Sequence, residues 1–422
     1  MNLKHPVVKN MMSLFIQKGA NYLVYFITVP YLVHVLGPQT YGKVIFAQVF
    51  IQYFVMFVNF GFNLSATRSI AIHQEDREEV LKIFNSVIFI KFFLMLISFL
   101  LLLLVVYFVP KFSADKNLYL LAFLSVVGNM IFPTWFFQGI EKMRYIASLN
   151  IIAQAITTVC IFLFVHSEGD YLRAVGIQGS YMIVSGLMAI RPIMQMLPIK
   201  FYIPKFVEFK KNFVDAWFVF ILAGSINVYD TSSIFLLGLM TNNVLVTYFS
   251  LAYKLLKAIA GLMAPVFNAI YPHISMLASQ SSESALKLIR TSLKWAGMLS
   301  FGMTLLFLLF AGPIVHFLFG AQYDPVVAVI HILAFNLFFI ALGYVLGMET
   351  MLTFGLNREY SHITLGTLIF NLVITFVFIR WWSINGAALS TLLTEILVVT
   401  WMYFVISHKK LSFWSSQKPL FR

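Results

Sequence analysis

The sequence predicts an all-α polytopic membrane protein, with about twelve transmembrane helices in two pseudo-symmetric six-helix lobes. Three observations carry that expectation. Apolar residues come in unbroken runs such as Phe92 to Val109, close to the roughly 20 residues a helix needs to cross the hydrocarbon core. Charged residues make up 11% and hydrophobic ones 60%, whereas soluble domains carry about 25% charged residues. Basic residues collect in alternate loops. A membrane barrel would instead alternate apolar and polar residues along short strands.

Read in order, the apolar runs fall at about 12–35, 44–66, 84–109, 118–138, 148–166, 174–197, 213–239, 244–268, 292–316, 326–354, 360–382 and 385–407. The first run leads straight into more of the same, so no cleaved signal is expected. Of the 29 lysines and arginines, four fall within spans (Lys18, Lys91, Lys254, Lys257) and five at outer ends (Lys43, Lys111, Lys116, Arg173, Arg380); the other twenty lie on the inner side. The positive-inside rule then places both termini in the cytoplasm. The formal charge of +13 is therefore mainly topological, and nucleic acid is not an expected partner.

No loop is long enough to fold alone, which leaves no room for a separate catalytic domain outside the membrane. The expected organisation is an N-terminal lobe over 1–200, a basic linker at 201–212 and a C-terminal lobe with its tail over 213–422. The halves resemble each other weakly. Leu36 to Gly42 (LGPQTYG) follows span 1, and Leu237, Gly238 and Tyr248 fall at the matching turn after span 7. Gly139 to Tyr145 follows span 4 as Gly355 to Tyr360 follows span 10. Tyr41 and Tyr248, like Gly179 and Gly386, are offset by 207 residues. An even number of spans per half gives a parallel repeat, with the cleft between lobes as the expected cargo site.

The span over 244–268 carries the sharpest signal. Lys254 lies roughly ten residues past Thr241-Asn242-Asn243, about 15 Å into the membrane, and Lys257 shares its helix face. Each ammonium costs about 2.5–3.5 kcal/mol at the bilayer centre even on the lenient insertion scale. A water-filled cavity lined by cations would relieve that cost and would take an anionic cargo. Lys18 either joins this lumen or snorkels to the headgroups; Lys91 is expected to snorkel. Arg68, at the inner mouth of span 2, is a cargo contact or a topological anchor.

Polar residues form further stripes. Gln48, Gln52, Asn59 and Asn63 share one face of span 2, which suits a wet wall compatible with sugars. Asn21, Tyr22 and Tyr25 share a face in span 1; Asn150, Gln154 and Thr157 do so in span 5; span 7 brings Asn227. Any one of these amides can instead be interhelical glue. Asp230 either pairs with Lys254 or Lys257 or titrates during transport, and Glu349 and Glu395 are further candidate carboxylates for coupling to a proton, a sodium ion or the membrane potential.

No catalytic or metal site is expected. The nine histidines are scattered without HxxxH or HExxH spacing, and Cys160 is the only cysteine. Gly37 to Lys43 (GPQTYGK) misses the phosphate-binding loop, because Val44 stands where a serine or threonine would hold magnesium. No resident cofactor is implied.

Three stretches carry a family resemblance: Asn59 to Arg68 (NFGFNLSATR), Phe132 to Tyr145 (FPTWFFQGIEKMRY) and Leu36 to Gly42. Together they resemble the Wzx-type O-antigen flippases. These form the polysaccharide-transport branch of the superfamily that also holds the peptidoglycan lipid flippases and the multidrug MATE transporters. The resemblance covers the whole chain and implies a MATE-like fold. It also implies a bacterial inner-membrane protein that moves undecaprenyl-diphosphate-linked oligosaccharide units from the cytoplasmic to the periplasmic leaflet for lipopolysaccharide assembly. Other polysaccharide assembly proteins would be its partners. Lys18, Lys254 and Lys257 would then hold the diphosphate. Two rivals remain. A cation-coupled drug antiporter would favour buried carboxylates over buried lysines. A polysaccharide polymerase or ligase would present a large, basic outer loop, and the outer loops here are short.

Overall fold

Backbone amides in hydrocarbon must be paired within their own segment, so a chain this apolar has only helices with which to cross. The computed structural model describes residues 6–197 and 206–409, without the side chains of 6–16, 18, 206–209, 211, 218 and 222. Every element among the described residues is helical. The chain divides into two compact units, Met1–Asn227 and Val228–Arg422.

In the first unit, α1 (Pro6–Asn59) is two spans joined at Gly37, whose φ of 68° breaks the helix. Then come α2 (Phe62–Ile72), α3 (Arg77–Phe108) and the short α4 (Pro110–Ser113). The fourth span is segmented into α5 (Lys116–Ala122), α6 (Leu124–Ile131) and α7 (Thr134–Gly139), and α8 (Met143–Phe164) and α9 (Tyr171–Met196) complete six spans. Helix α10 (Phe206–Met240) crosses the division between units. In the second unit follow α11 (Asn243–Gln280), α12 (Ser282–Phe319), and a tenth span made of α13 (Asp324–Leu333), α14 (Asn336–Gly343) and a π-helix over Tyr344–Leu352. Finally α15 (Asn357–His408) holds two spans that meet at Ser383, with φ 50°.

Seven of these stretches are long and apolar enough to cross a membrane, and two bent pairs raise the number to nine. Splitting α1 and α15 at their breaks adds two, and α9 with 26 residues supplies the twelfth. The protein is an all-α, multi-pass membrane protein. Several helices outrun the sequence estimate: α11 continues to Gln280 and α12 begins at Ser282, so both extend past the apolar runs.

Both halves repeat one device. The fourth and tenth spans are each broken, and each ends in a left-handed residue, Glu141 (φ 57°) or Gly355 (φ 74°). Beyond it a wide backbone bond closes the helix: Lys142 N donates to Phe137 O at 2.8 Å and Leu356 N to Met351 O at 2.8 Å. This is the Schellman closure of a helix C-terminus.

Lys91 departs from the sequence expectation. It does not reach the headgroups; it is 1% exposed, and its Nζ donates to the backbone oxygen of Asn129 at 2.6 Å. The cause lies four residues further on. In a regular helix the Asn129 carbonyl would accept from the amide of residue 133, and Pro133 has none. Lys91 supplies the missing donor at the break in the fourth span.

Candidate functional site

In the first unit the fourth and sixth spans pack backbone to backbone. A Cβ on Gly128 would lie 2.6 Å from Ile183 N, and one on Gly186 would lie 2.6 Å from Ile131. Small residues permit such approach between membrane helices. The packing brings Ser125 and Asn129 of α6 alongside Gln178 and Tyr181 of α9. On the other side, span 2 breaks at Phe60 (φ 40°) and Gly61 (φ 74°). Here α10 runs so close that a Cβ on Gly61 would meet Phe220 N at 2.8 Å. Phe60 stacks on Phe213 and Phe220 at centroid distances of 4.4 and 4.6 Å.

Between these elements lies a cleft of about 470 Å³, lined by Gln52, Asn59, Asn63, Asn129, Gln178 and Asn227 together with Ser125, Tyr181 and Phe220. Among the described residues no charged side chain lines it. Three of the four span 2 amides therefore face one cavity. The fourth, Gln48, donates to the Gln178 side-chain oxygen at 2.5 Å and so holds part of the wall in place. The sequence reading missed Asn129, Gln178 and Tyr181, because they sit singly on different spans and form no stripe of their own.

The two longer resemblance motifs meet within this unit. Thr67 Oγ1 lies 3.1 Å from the Trp135 carbonyl, and a Cβ on Gly139 would sit 2.7 Å from the Ile70 side chain. The motif residues thus fasten α2 to α7 beneath the cleft.

In the second unit the charged residues cluster. Asp230 of α10 accepts from Lys257 Nζ at 2.7 Å and from the Tyr253 hydroxyl at 3.2 Å. Lys257 follows Tyr253 by one helical turn, and its Nζ lies 5.3 Å from that ring centroid. Tyr229 donates to Glu395 of α15 at 2.8 Å. Of the alternatives for Asp230, the structure shows pairing, and with Lys257. The pair is not sealed, since its side chains are 39% and 40% exposed. Lys257 stands fourteen residues beyond Asn243, about 21 Å along the helix. Lys254, one turn earlier, is half-buried.

The remaining candidates are dispersed. Arg68 is exposed on α2. Asn21 and Tyr25 are half-buried on α1, and the Asn21 Oδ1 is buried with no hydrogen-bond partner among the described residues. The Lys18 side chain lies outside the described residues. Asn150 is 3% exposed, inside the first unit. Glu349 is fully buried in the π-helix, with no hydrogen-bond partner for either carboxylate oxygen among the described residues. The buried amide Asn371 is interhelical glue: it accepts from Ser232 at 2.7 Å and donates to Thr394 at 3.0 Å.

Among the described residues no group of histidine, cysteine and carboxylate side chains is placed to hold a metal ion. The profile of the family described as "Polysaccharide biosynthesis protein" matches residues 7–278. The chain belongs to this family. It is 32% identical to a "Putative O-antigen transporter" of Escherichia coli K12, over 96% of this chain and 97% of that one. A second relative with the same description, from Shigella dysenteriae, is 27% identical over 93% and 98%. Among solved structures, "Lipid II flippase MurJ, inward closed conformation" superposes with a TM-score of 0.71 at 15% identity, covering 95% of this chain and 87% of that one. A multidrug resistance MATE family transporter in its inward-facing conformation gives 0.66 at 15% identity, over 96% and 99%. The fold is that of the MATE-like superfamily, and this member of the family is a membrane transporter, not an enzyme.

Proposed function

We propose that the protein is a flippase for O-antigen or related polysaccharide repeat units, carried on undecaprenyl diphosphate from the cytoplasmic to the periplasmic leaflet of a bacterial inner membrane. Its termini would lie in the cytoplasm. The observation that carries this reading is the half-open Lys257–Asp230 pair at membrane depth, in a chain whose relatives are described as O-antigen transporters. A diphosphate headgroup cannot cross hydrocarbon unaided, and compact ammonium groups in a low-dielectric cleft suit it. Lys257 would pass from Asp230 to the cargo phosphate and back, which allows both loading and release. Lys254, one turn away on the same face, would add the second charge. Lys18 and Arg68 would contact the headgroup on its way in. The two lobes, joined through the basic stretch 201–212, would open alternately to each side. Glu349, fully buried with no ion pair among the described residues, would carry the coupling proton or cation, because a buried carboxylate without a counter-charge is costly to leave charged.

The test replaces Lys254 and Lys257 by alanine, singly and together, in a strain lacking its own flippase, and measures surface polysaccharide at matched protein level. Loss of display is expected, with Lys257→Arg retaining function better than Lys257→Gln. Normal display by the double variant would remove the cationic site from the mechanism.

A further inference from the structure

We infer that the amide cleft of the first unit is a subsite for an uncharged sugar residue of the cargo, an assignment that rests on the flippase reading above. Among the described residues the wall offers six carboxamides, a serine and a tyrosine, and no charged side chain. Three of the amides are held by the protein: Gln178 takes Gln48, Asn129 donates to Ser125 O at 2.9 Å, and Asn227 donates to Ala223 O at 2.8 Å. The other three, Gln52, Asn59 and Asn63, make no hydrogen bond to any described residue. Amides serving as glue between membrane helices are paired; these are open.

Gln52 and Asn63 are exposed to the cleft and Asn59 is half-buried, so their carboxamides are open to an occupant of the cleft. Each carboxamide both donates and accepts, which matches a hydroxyl-bearing ring and gives no advantage to a phosphate or a carboxylate. The rings of Phe220 and Tyr181 supply flat apolar surface for a sugar face. At about 470 Å³ the cleft falls within the range of small-molecule sites. Charge recognition in the second unit and hydroxyl recognition in the first would thereby be separate, so one cationic headgroup site could serve cargoes whose sugars differ. Repeat-unit selectivity would be set by the amide wall.

The experiment uses the full-length protein in lipid nanodiscs and two probes: undecaprenyl diphosphate, and undecaprenyl diphosphate bearing a neutral trisaccharide. The readout is the ratio of their affinities, in the native protein and in Gln52→Leu, Asn63→Leu and the double variant, with Gln52→Ala as the milder change. A native protein that prefers the glycosylated probe by about tenfold or more, and loses that preference in the amide variants, is the expected result. Lys257→Gln should weaken both probes and leave the ratio intact. Equal binding of the two probes by the native protein would overturn the sugar subsite while the flippase reading stood. Binding of neither probe would remove the flippase reading and the subsite with it. Amide variants that keep the full native preference would also overturn the subsite.

Discussion

Replacing Lys91 by methionine isolates what this buried ammonium does. The side chain is 1% exposed, and its Nζ reaches the Asn129 carbonyl at 2.6 Å. Methionine keeps the length and removes the donor. The Asn129 oxygen then has neither the ammonium nor a backbone amide from residue 133, and a buried unpaired carbonyl costs about 1–3 kcal/mol. The burial cost of the ammonium offsets this only partly, because in the membrane-inserted reference state the lysine is already largely out of water. Polar contacts between membrane helices average about 0.6 kcal/mol for the same reason. The expected net loss is therefore about 1–2 kcal/mol.

Pro133→Ala supplies the second arm of the cycle. It returns an N–H to the break, so Lys91→Met should cost about 1 kcal/mol less in that background. Titration of the purified protein from mixed micelles into denaturing detergent gives both values. Trp135, fully buried two residues past the proline, reports locally by fluorescence. Stability unchanged within about 0.3 kcal/mol, or an identical loss in both backgrounds, would refute the assignment.

Three further outcomes follow from the same geometry. Asp230→Asn releases Lys257 from a half-exposed pair worth about 1 kcal/mol, so a lipid-diphosphate probe should bind about fivefold tighter and export should slow; unchanged affinity and export would count against Asp230 as a competitor. Glu349→Gln preserves shape but cannot carry a proton or a sodium ion, so export in vesicles should lose its dependence on the imposed gradient; retained dependence would move the coupling elsewhere. In the turn after α8, bonds from the His166 and Ser167 amides and the Ser167 hydroxyl hold the Asp170 carboxyl below its ordinary range. A depressed pKa means the turn is stabilised above the ordinary carboxylate range and loses that stabilisation as pH falls through the native value. Exchange protection of these two amides should be present at neutral pH and fall in acid, and Asp170→Ala, which has no acceptor, should remove it at both.

The number and placement of the spans were legible in the sequence because a bilayer permits so few alternatives. Where the chain breaks inside them was only half legible. Pro133 announces the interruption of the fourth span, but the tenth bends near Ala334 and Phe335, where neither proline nor glycine stands. Gln52, Asn59 and Asn63 of the span 2 stripe line one side of the cleft. Its other half is contributed by lone amides of α6 and α9, aligned through the contacts of Gly128 and Gly186, and no single-helix period reveals a cavity shared by several helices. Lys91 was misread because depth alone cannot distinguish a lysine near the headgroups from one answering a proline in the next span. The charge at 254 and 257 was visible; the counter-charge on Lys257 was known only as one of several alternatives until Asp230 was placed.

The nine-residue π-helix over Tyr344–Leu352 has a mechanical meaning. Wider pairing stores surplus chain within a continuous span, and that surplus can travel without severing it. If the widened turn shifted one step along, side chains past it would swing about 100° and advance about 1.5 Å. Glu349 sits within that stretch. The span thus holds its surplus chain right at the buried acid.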